Sequence, residues 1–352
     1  MASRYWVGGT SNWNATAGTK WALTDGGVGG QAVPTSSDDV FFTATSGTVV
    51  VTVSTVDANA KTLTCTGFTG EIAGASNIFV PGNIVLGSGM TWSNTGTLNI
   101  TGTGSPSITS NGITITSPLQ INTTGTVTLQ DDFSSSANVI HITGTLDLNN
   151  KNITSANYDA SAAGTKTLTM GSGTWTLTGV STVWSAANLT TLNANTSTIK
   201  ITNTSASTAV FTGSSKTYST VWLARGTSSG TNTISGSNTF AILKDTGTVA
   251  HEIRFTAGTT QTISTASGWQ VSGNSGQLIK ITSSTTATHT LTCSSGNVSA
   301  DYLDIQHSVA QGGASWYAGA NSTNNQATAT AGSGWIFSAA PSTVNAQFLA
   351  FM

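Results

Sequence analysis

Thr124-Gly-Thr-Val-Thr-Leu129 and Thr143-Gly-Thr-Leu-Asp-Leu148 are two copies of one pattern, their glycines 19 residues apart. Each opens with threonine, glycine and threonine and then alternates apolar with polar residues. A period of two puts Val127 and Leu129 on one side of a strand, so one face is buried and the other is wet. The same opening, Ser or Thr, then Gly, Thr and an apolar residue, recurs at Ser46-Gly-Thr-Val49, Thr95-Gly-Thr-Leu98, Ser172-Gly-Thr-Trp175 and Thr246-Gly-Thr-Val249. In chain order the glycines are spaced 49, 29, 19, 29 and 74 residues apart. A propeller would hold a fixed interval of about 40–50 residues per blade. Stacked coils with loops of unequal length tolerate the irregularity. The pattern predicts an all-β chain, a right-handed parallel β-helix over residues 46–310. Stacked antiparallel β-sandwiches are the alternative, because they use the same short strands.

Further alternating segments support strands at Thr48–Val53, Gly112–Thr116, Val139–Thr143, Thr174–Leu177, Thr198–Thr202 and Leu278–Thr282. Gly, Ser and Asn clusters between them read as turns, and no apolar 3,4 spacing persists long enough for a helix. Charged residues make up 7 % of the 352 positions, against roughly 25 % in an ordinary soluble domain. Stacking explains the shortfall, since like residues lie above like: Thr and Asn ladders pair, whereas charged ladders repel. Eleven scattered Lys and Arg against 13 Asp and Glu, net charge -2, argue against nucleic-acid binding, which needs clustered basic residues. Ten Trp and 11 Phe with only five Pro argue against disorder. Few titrating groups also predict stability that varies little between about pH 5 and 9.

Both ends differ from the middle. Residues 1–45 form a Trp- and Gly-rich module with Trp6, Trp13 and Trp21, and residues 311–352 hold Trp316, Tyr317, Trp335 and an apolar tail with Phe348 and Phe351. A solenoid exposes its core at each end and needs caps. These aromatics are expected to cap the body at 46–310, and they are also the candidate glycan or subunit contacts. Cys65 and Cys293 stand alone, which rules out a CxxC site, and they read as buried small hydrophobes. No signal peptide is recognised at the start, and no apolar run is long enough to span a membrane, so no membrane insertion is expected.

Trp6-Val-Gly-Gly-Thr-Ser-Asn-Trp13, with Trp21 and Val33-Pro-Thr-Ser-Ser-Asp-Asp-Val-Phe-Phe42, resembles the opening of a family of β-rich bacteriophage structural proteins common in environmental phages. Phe255–Thr262, Val298–Ile305 and Trp316–Thr323 through Trp335 resemble its C-terminal half, so about a third of the chain carries the likeness. The resemblance implies a virion component displayed on a particle, as a tail fibre, a spike or a capsid decoration. It implies contact with other virion proteins, self-association (a trimer by analogy with fibres) and release by lysis. It supplies no catalytic residues, and no cofactor is expected.

A polysaccharide-cleaving β-helix would need carboxylates converging in a groove. The candidates are Asp131 with Asp132, Asp147 with Asp159, and Asp301 with Asp304 near His307. Adjacent Asp131 and Asp132 cannot share a strand face and are expected in the turn after Leu129. Tyr302–His307 puts Leu303 and Ile305 inward and Tyr302, Asp304 and Gln306 outward, a row able to grip a sugar or simply to stay wet. Glu252 and Arg254 read as a surface ion pair. His141, His251, His289 and His307 lie on separate segments without a metal-binding motif. Asp38-Asp39 is the densest N-terminal place for a calcium ion, and Gly26-Gly-Val-Gly-Gly30 is a flexible turn. The reading is a non-enzymatic virion protein that works by display, subunit contact and adhesion, with host surface glycan as a partner. A surface polysaccharide-degrading enzyme and a bacterial surface adhesin or filament subunit are the alternatives.

Overall fold

The structure, a computed structural model, describes residues 2–14, 19–326 and 333–341. The chain winds through about 13 turns of a parallel β-solenoid. Leu98, Leu119 and Val139 lie side by side on consecutive coils, so these turns advance 21 and 20 residues. Loops stretch other turns: His251 lies beside Ile279, and Thr260 beside Thr290. Strand pairing among the described residues is parallel except between Ser3–Trp6 and Trp21–Ala22 and at the isolated bridge Asn274–Gln277. The antiparallel sandwich is therefore excluded.

Three ladders run along the axis. The first begins Ser3–Trp6, Asp39–Phe41, Thr62–Thr64 and Ile84–Val85. The second begins Ser11–Asn12, Val50–Val53, Glu71–Gly74 and Thr91–Trp92. The third begins Ala58–Asn59, Ile78–Val80 and Leu98–Gly102 and runs through to Thr323–Asn324. Alternation within each strand sends one side chain in and the next out, and the ladders turn the inward residues into stacks. Val40, Leu63, Ile84 and Ile108 form one such stack, and Phe133, Ile153, Trp175, Ile199 and Val221 another. All are buried.

Two sequence expectations change. Val139–Thr143 and Thr145–Leu148 belong to one strand, Val139–Asp147, that bends through Gly144. Gly144 has φ +88, and a Cβ there would sit 2.1 Å from the Thr123 carbonyl oxygen on the preceding coil. The corner therefore requires glycine. Strand pairing runs across the proposed boundaries at 45/46 and 310/311, since Ser11–Asn12 pairs with Val50–Val53 and Ser315–Tyr317 with Asn297–Ser299. The aromatic ends are coils of the same solenoid, because the same backbone ladder continues through them.

Candidate functional site

The aromatic candidates are inside. Trp6, Trp13 and Trp21 are at most 1 % exposed and pack with Phe42 at centroid distances of 5.0–6.0 Å. At the other end Trp269, Trp316 and Trp335 form a second cluster, 5.4–6.4 Å apart. Trp316 is 1 % exposed and Trp335 6 %, and their indole N–H groups donate to the Gln311 carbonyl and the Ser308 hydroxyl. None of the candidates Trp6, Trp13, Trp21, Trp316 and Trp335 offers a ring face to a sugar. Tyr317 is half-buried beside Ile336. Phe348 and Phe351 lie outside the described residues.

The carboxylates proposed for catalysis are engaged in tying coils and turns together. Asp131 accepts the backbone N–H groups of Ser110 and Asn111 on the preceding coil, while Asp132 accepts that of Asn152 on the following one. The two side chains reach in opposite directions along the axis, from the turn after Leu129. Hydrogen bonds from the Asn152 side chain and backbone hold the Asp132 carboxyl below its ordinary range. Asp147 and Asp159 each accept the N–H two residues on, at 2.8 Å. Asp301 accepts the N–H groups of Tyr302 and Asn321, and Asp304 accepts from the side chains of Asn325 and Gln306. Each oxygen that binds a backbone N–H satisfies a group the coil corner would otherwise leave unpaired.

Asp38 and Asp39 likewise part company. Asp38 accepts the Thr35 N–H and hydroxyl and lies 3.7 Å from Arg4, whereas Asp39 accepts the Thr62 hydroxyl and lies 3.4 Å from Lys61. They do not converge on a cation. Among the described residues no three His, Cys, Asp or Glu side chains gather in a metal-binding arrangement.

Coil stacking joins two segments that are far apart in sequence. Glu252, Lys280 and Asp304 are successive rungs of the third ladder. Their charges alternate in sign, so this charged column does not repel. Arg254 stands on Glu252 at 2.6 Å, and Leu303 and Ile305 are buried while Asp304 and Gln306 face out. This is a self-neutralising surface.

Composition gave no signal for the charges that lie inside. Asp245 continues the inward stack Leu177, Ile201 and Leu223. It meets His251 at 3.1 Å, and the other ring nitrogen lies 2.8 Å from the Val249 carbonyl. Burial lowers the His251 pKa, but the hydrogen bond and charge of Asp245 outweigh it and leave the imidazole raised. Arg225 is 3 % exposed, and its guanidinium donates to the carbonyls of Asn203, Ser205, Ser207, Gly230 and Thr231. His141 and His289 are fully buried, and burial lowers their pKa values to about 4 and about 3. His141 lies 3.0 Å from the Gly144 carbonyl and 3.1 Å from the Tyr158 hydroxyl, while neither His289 nitrogen has a partner.

The third ladder slips register where Ile121 and Asn122 meet His141 and Thr143, and again further along. In Ser181–Ser185 the register against the next coil slips between Thr182 and Trp184, so that Val183 is an extra residue and both Val183 and Trp184 turn inward. Ser181 takes φ +61 to enter the strand. A bulge re-aims side chains and bends the sheet, and here the outer surface becomes a groove of about 390 Å³. Asn138, Asn157, Asp159, Thr182, Ser185 and Thr212 line it. Asp159, Ser185 and Thr212 are rungs of one outward column, while Tyr158, Trp184 and Phe211 beneath them are packed rings 4.4 and 6.0 Å apart. Asp159 is the groove's one charged group.

Compared with known proteins, the chain matches no family model, no curated protein and no solved structure. The fold is established by the ladders themselves.

Proposed function

We propose that this chain is a non-catalytic structural protein displayed on a bacteriophage particle, a fibre, spike or similar appendage that contacts its own copies, other virion proteins and the host surface. The observation that carries the non-catalytic part is how the carboxylates are used. Asp131, Asp132, Asp147 and Asp301 spend their oxygens on backbone N–H groups at coil corners, where a glycosidase needs two carboxyls facing one bond. A stiff stack of coils with a neutral hydroxyl and amide exterior suits display, because its contacts with solvent and ions are weakly salt-dependent. The phage origin rests on the N- and C-terminal motifs.

Gold-labelled antibody against the protein, applied to particles from its source and viewed by electron microscopy, tests the reading. Label at one tail end supports the fibre or spike, and label over the head makes the protein a capsid decoration. Label only on cells or free filaments overturns the virion reading in favour of an adhesin. Release of reducing ends from host capsule by the purified protein would overturn the non-catalytic part.

A further inference from the structure

We infer that the groove over the bulge at Thr182–Trp184 is a saccharide-binding site that takes a neutral hexose unit. The inference deepens the adhesive reading above and rests on it for its biological setting. Its physical basis is independent.

Many outward hydroxyls on this solenoid are free, and around the groove such groups gather with a carboxylate and an amide on one concavity. One Asp159 oxygen accepts the Ser161 N–H, and the other has no hydrogen-bond partner among the described residues. Among those residues the hydroxyls of Thr182 and Ser185 make no hydrogen bond, and the Thr212 hydroxyl accepts from Ser235 and donates to none. The Asn157 side-chain NH₂ donates to the Asn138 side-chain amide oxygen, which leaves the Asn138 NH₂ group free. Donors and acceptors of both kinds therefore converge on one concavity whose volume lies in the range of small-molecule sites, ~300–1,000 Å³.

The chemistry selects the ligand. A carboxylate oxygen accepts strongly from a sugar hydroxyl, and three free hydroxyls with an amide NH₂ can serve ring and hydroxyl oxygens. With Asp159 as the one charge in the lining, a uronate, sulfate or phosphate is repelled. The apolar payload is small, since the rings of Tyr158 and Trp184 are covered, so affinity comes from hydrogen bonds made in competition with water and is weak for one unit. Repetition of the protein on a particle would raise it by multivalency.

The test is saturation-transfer NMR on the full chain with methyl glycosides of glucose, galactose, mannose and N-acetylglucosamine, and with glucuronate as the acidic comparator. The expected result is saturable binding of at least one neutral glycoside, roughly millimolar, and weaker binding of glucuronate. Thr182→Val removes an exposed, unpartnered hydroxyl, and Ala187→Trp fills the rim. The first should weaken binding several-fold and the second abolish it, with circular dichroism and melting temperature unchanged for Thr182→Val. No saturable neutral glycoside, equal binding of glucuronate, or binding that survives both substitutions overturns the site. Failure here on particles that carry immunogold label removes the groove and leaves the virion reading. Sugar binding without labelled particles does the reverse.

Discussion

At the residue scale, the inward positions hold groups that a chain so poor in charge would be expected to keep outside. His141 and His289 are neutral when folded, with pKa values pushed down to about 4 and about 3 by burial. The unfolded chain takes up protons near pH 6.5, so between about pH 6.5 and 4 it binds protons the folded chain refuses, and stability falls as pH falls. His251 acts in the opposite sense. Its pKa is raised by Asp245, so its contribution is complete below the unfolded value and is lost as pH rises through the folded one. Two lowered histidines outweigh one raised. The unfolding free energy from urea titration should therefore drop between pH 7 and 4.5, by on the order of 3 kcal/mol, which replaces the flat profile suggested by composition. A flat profile would show that these rings are hydrated. His289 offers a sharper check. It packs on Phe255 at 4.7 Å with both nitrogens unpaired, so His289→Leu should raise stability at pH 7 by about 1 kcal/mol and blunt the acid loss. A destabilised variant would mean that an internal water satisfies the ring. Trp184→Ala, which empties a site among Tyr158, Trp175, Phe211 and Tyr218, should cost about 3–5 kcal/mol in the same assay.

At the scale of strands and turns, specificity lies in the corners. Gly144→Ala must bring a Cβ against the Thr123 carbonyl and hold φ +88, so it should cost at least about 1–3 kcal/mol by thermal melting. A neutral outcome would mean that the strand Val139–Asp147 can straighten. Asp132→Ala removes the acceptor for Asn152 and should cost about 1–2 kcal/mol, with Asp132→Asn recovering much of it. The sequence was legible here where alternation is unbroken, and Thr174–Leu177 is a strand with the bounds its pattern suggests. It was not legible where a strand turns a corner without a break, as through Gly144, because glycine flanked by threonine reads as a turn. The groove was hidden for a related reason. Its Ser and Thr are the two commonest residue types in the chain, and only the slip at Thr182 and Trp184 distinguishes them.

At the scale of the whole molecule, about 13 turns at ~4.8 Å per coil make a rod about 60 Å long. Its parallel coils were readable from the irregular glycine spacing, but its extent was not. Aromatic-rich ends look like separate modules in composition, while Ser11 beside Val51 and Trp316 beside Val298 show backbone pairing continuing into them. The buried pair Asp245–His251 was equally out of reach, since its inward position depends on the stack beneath it. With ion pairs confined to a few sites, raising salt to ~1 M sodium chloride should shift the melting temperature by no more than a few degrees. A large shift would reveal a charged interface between copies.

The first coil has a consequence for how such rods meet. Parallel coils present a bare strand edge at each end, which is a template for adding another strand and so for uncontrolled fibril growth. Here Ser3–Trp6 has Asp39–Phe41 on one side and the antiparallel Trp21–Ala22 on the other. One reversed strand of two residues thus breaks the translational repeat and gives the rod a polarity, closing this edge to a further parallel strand.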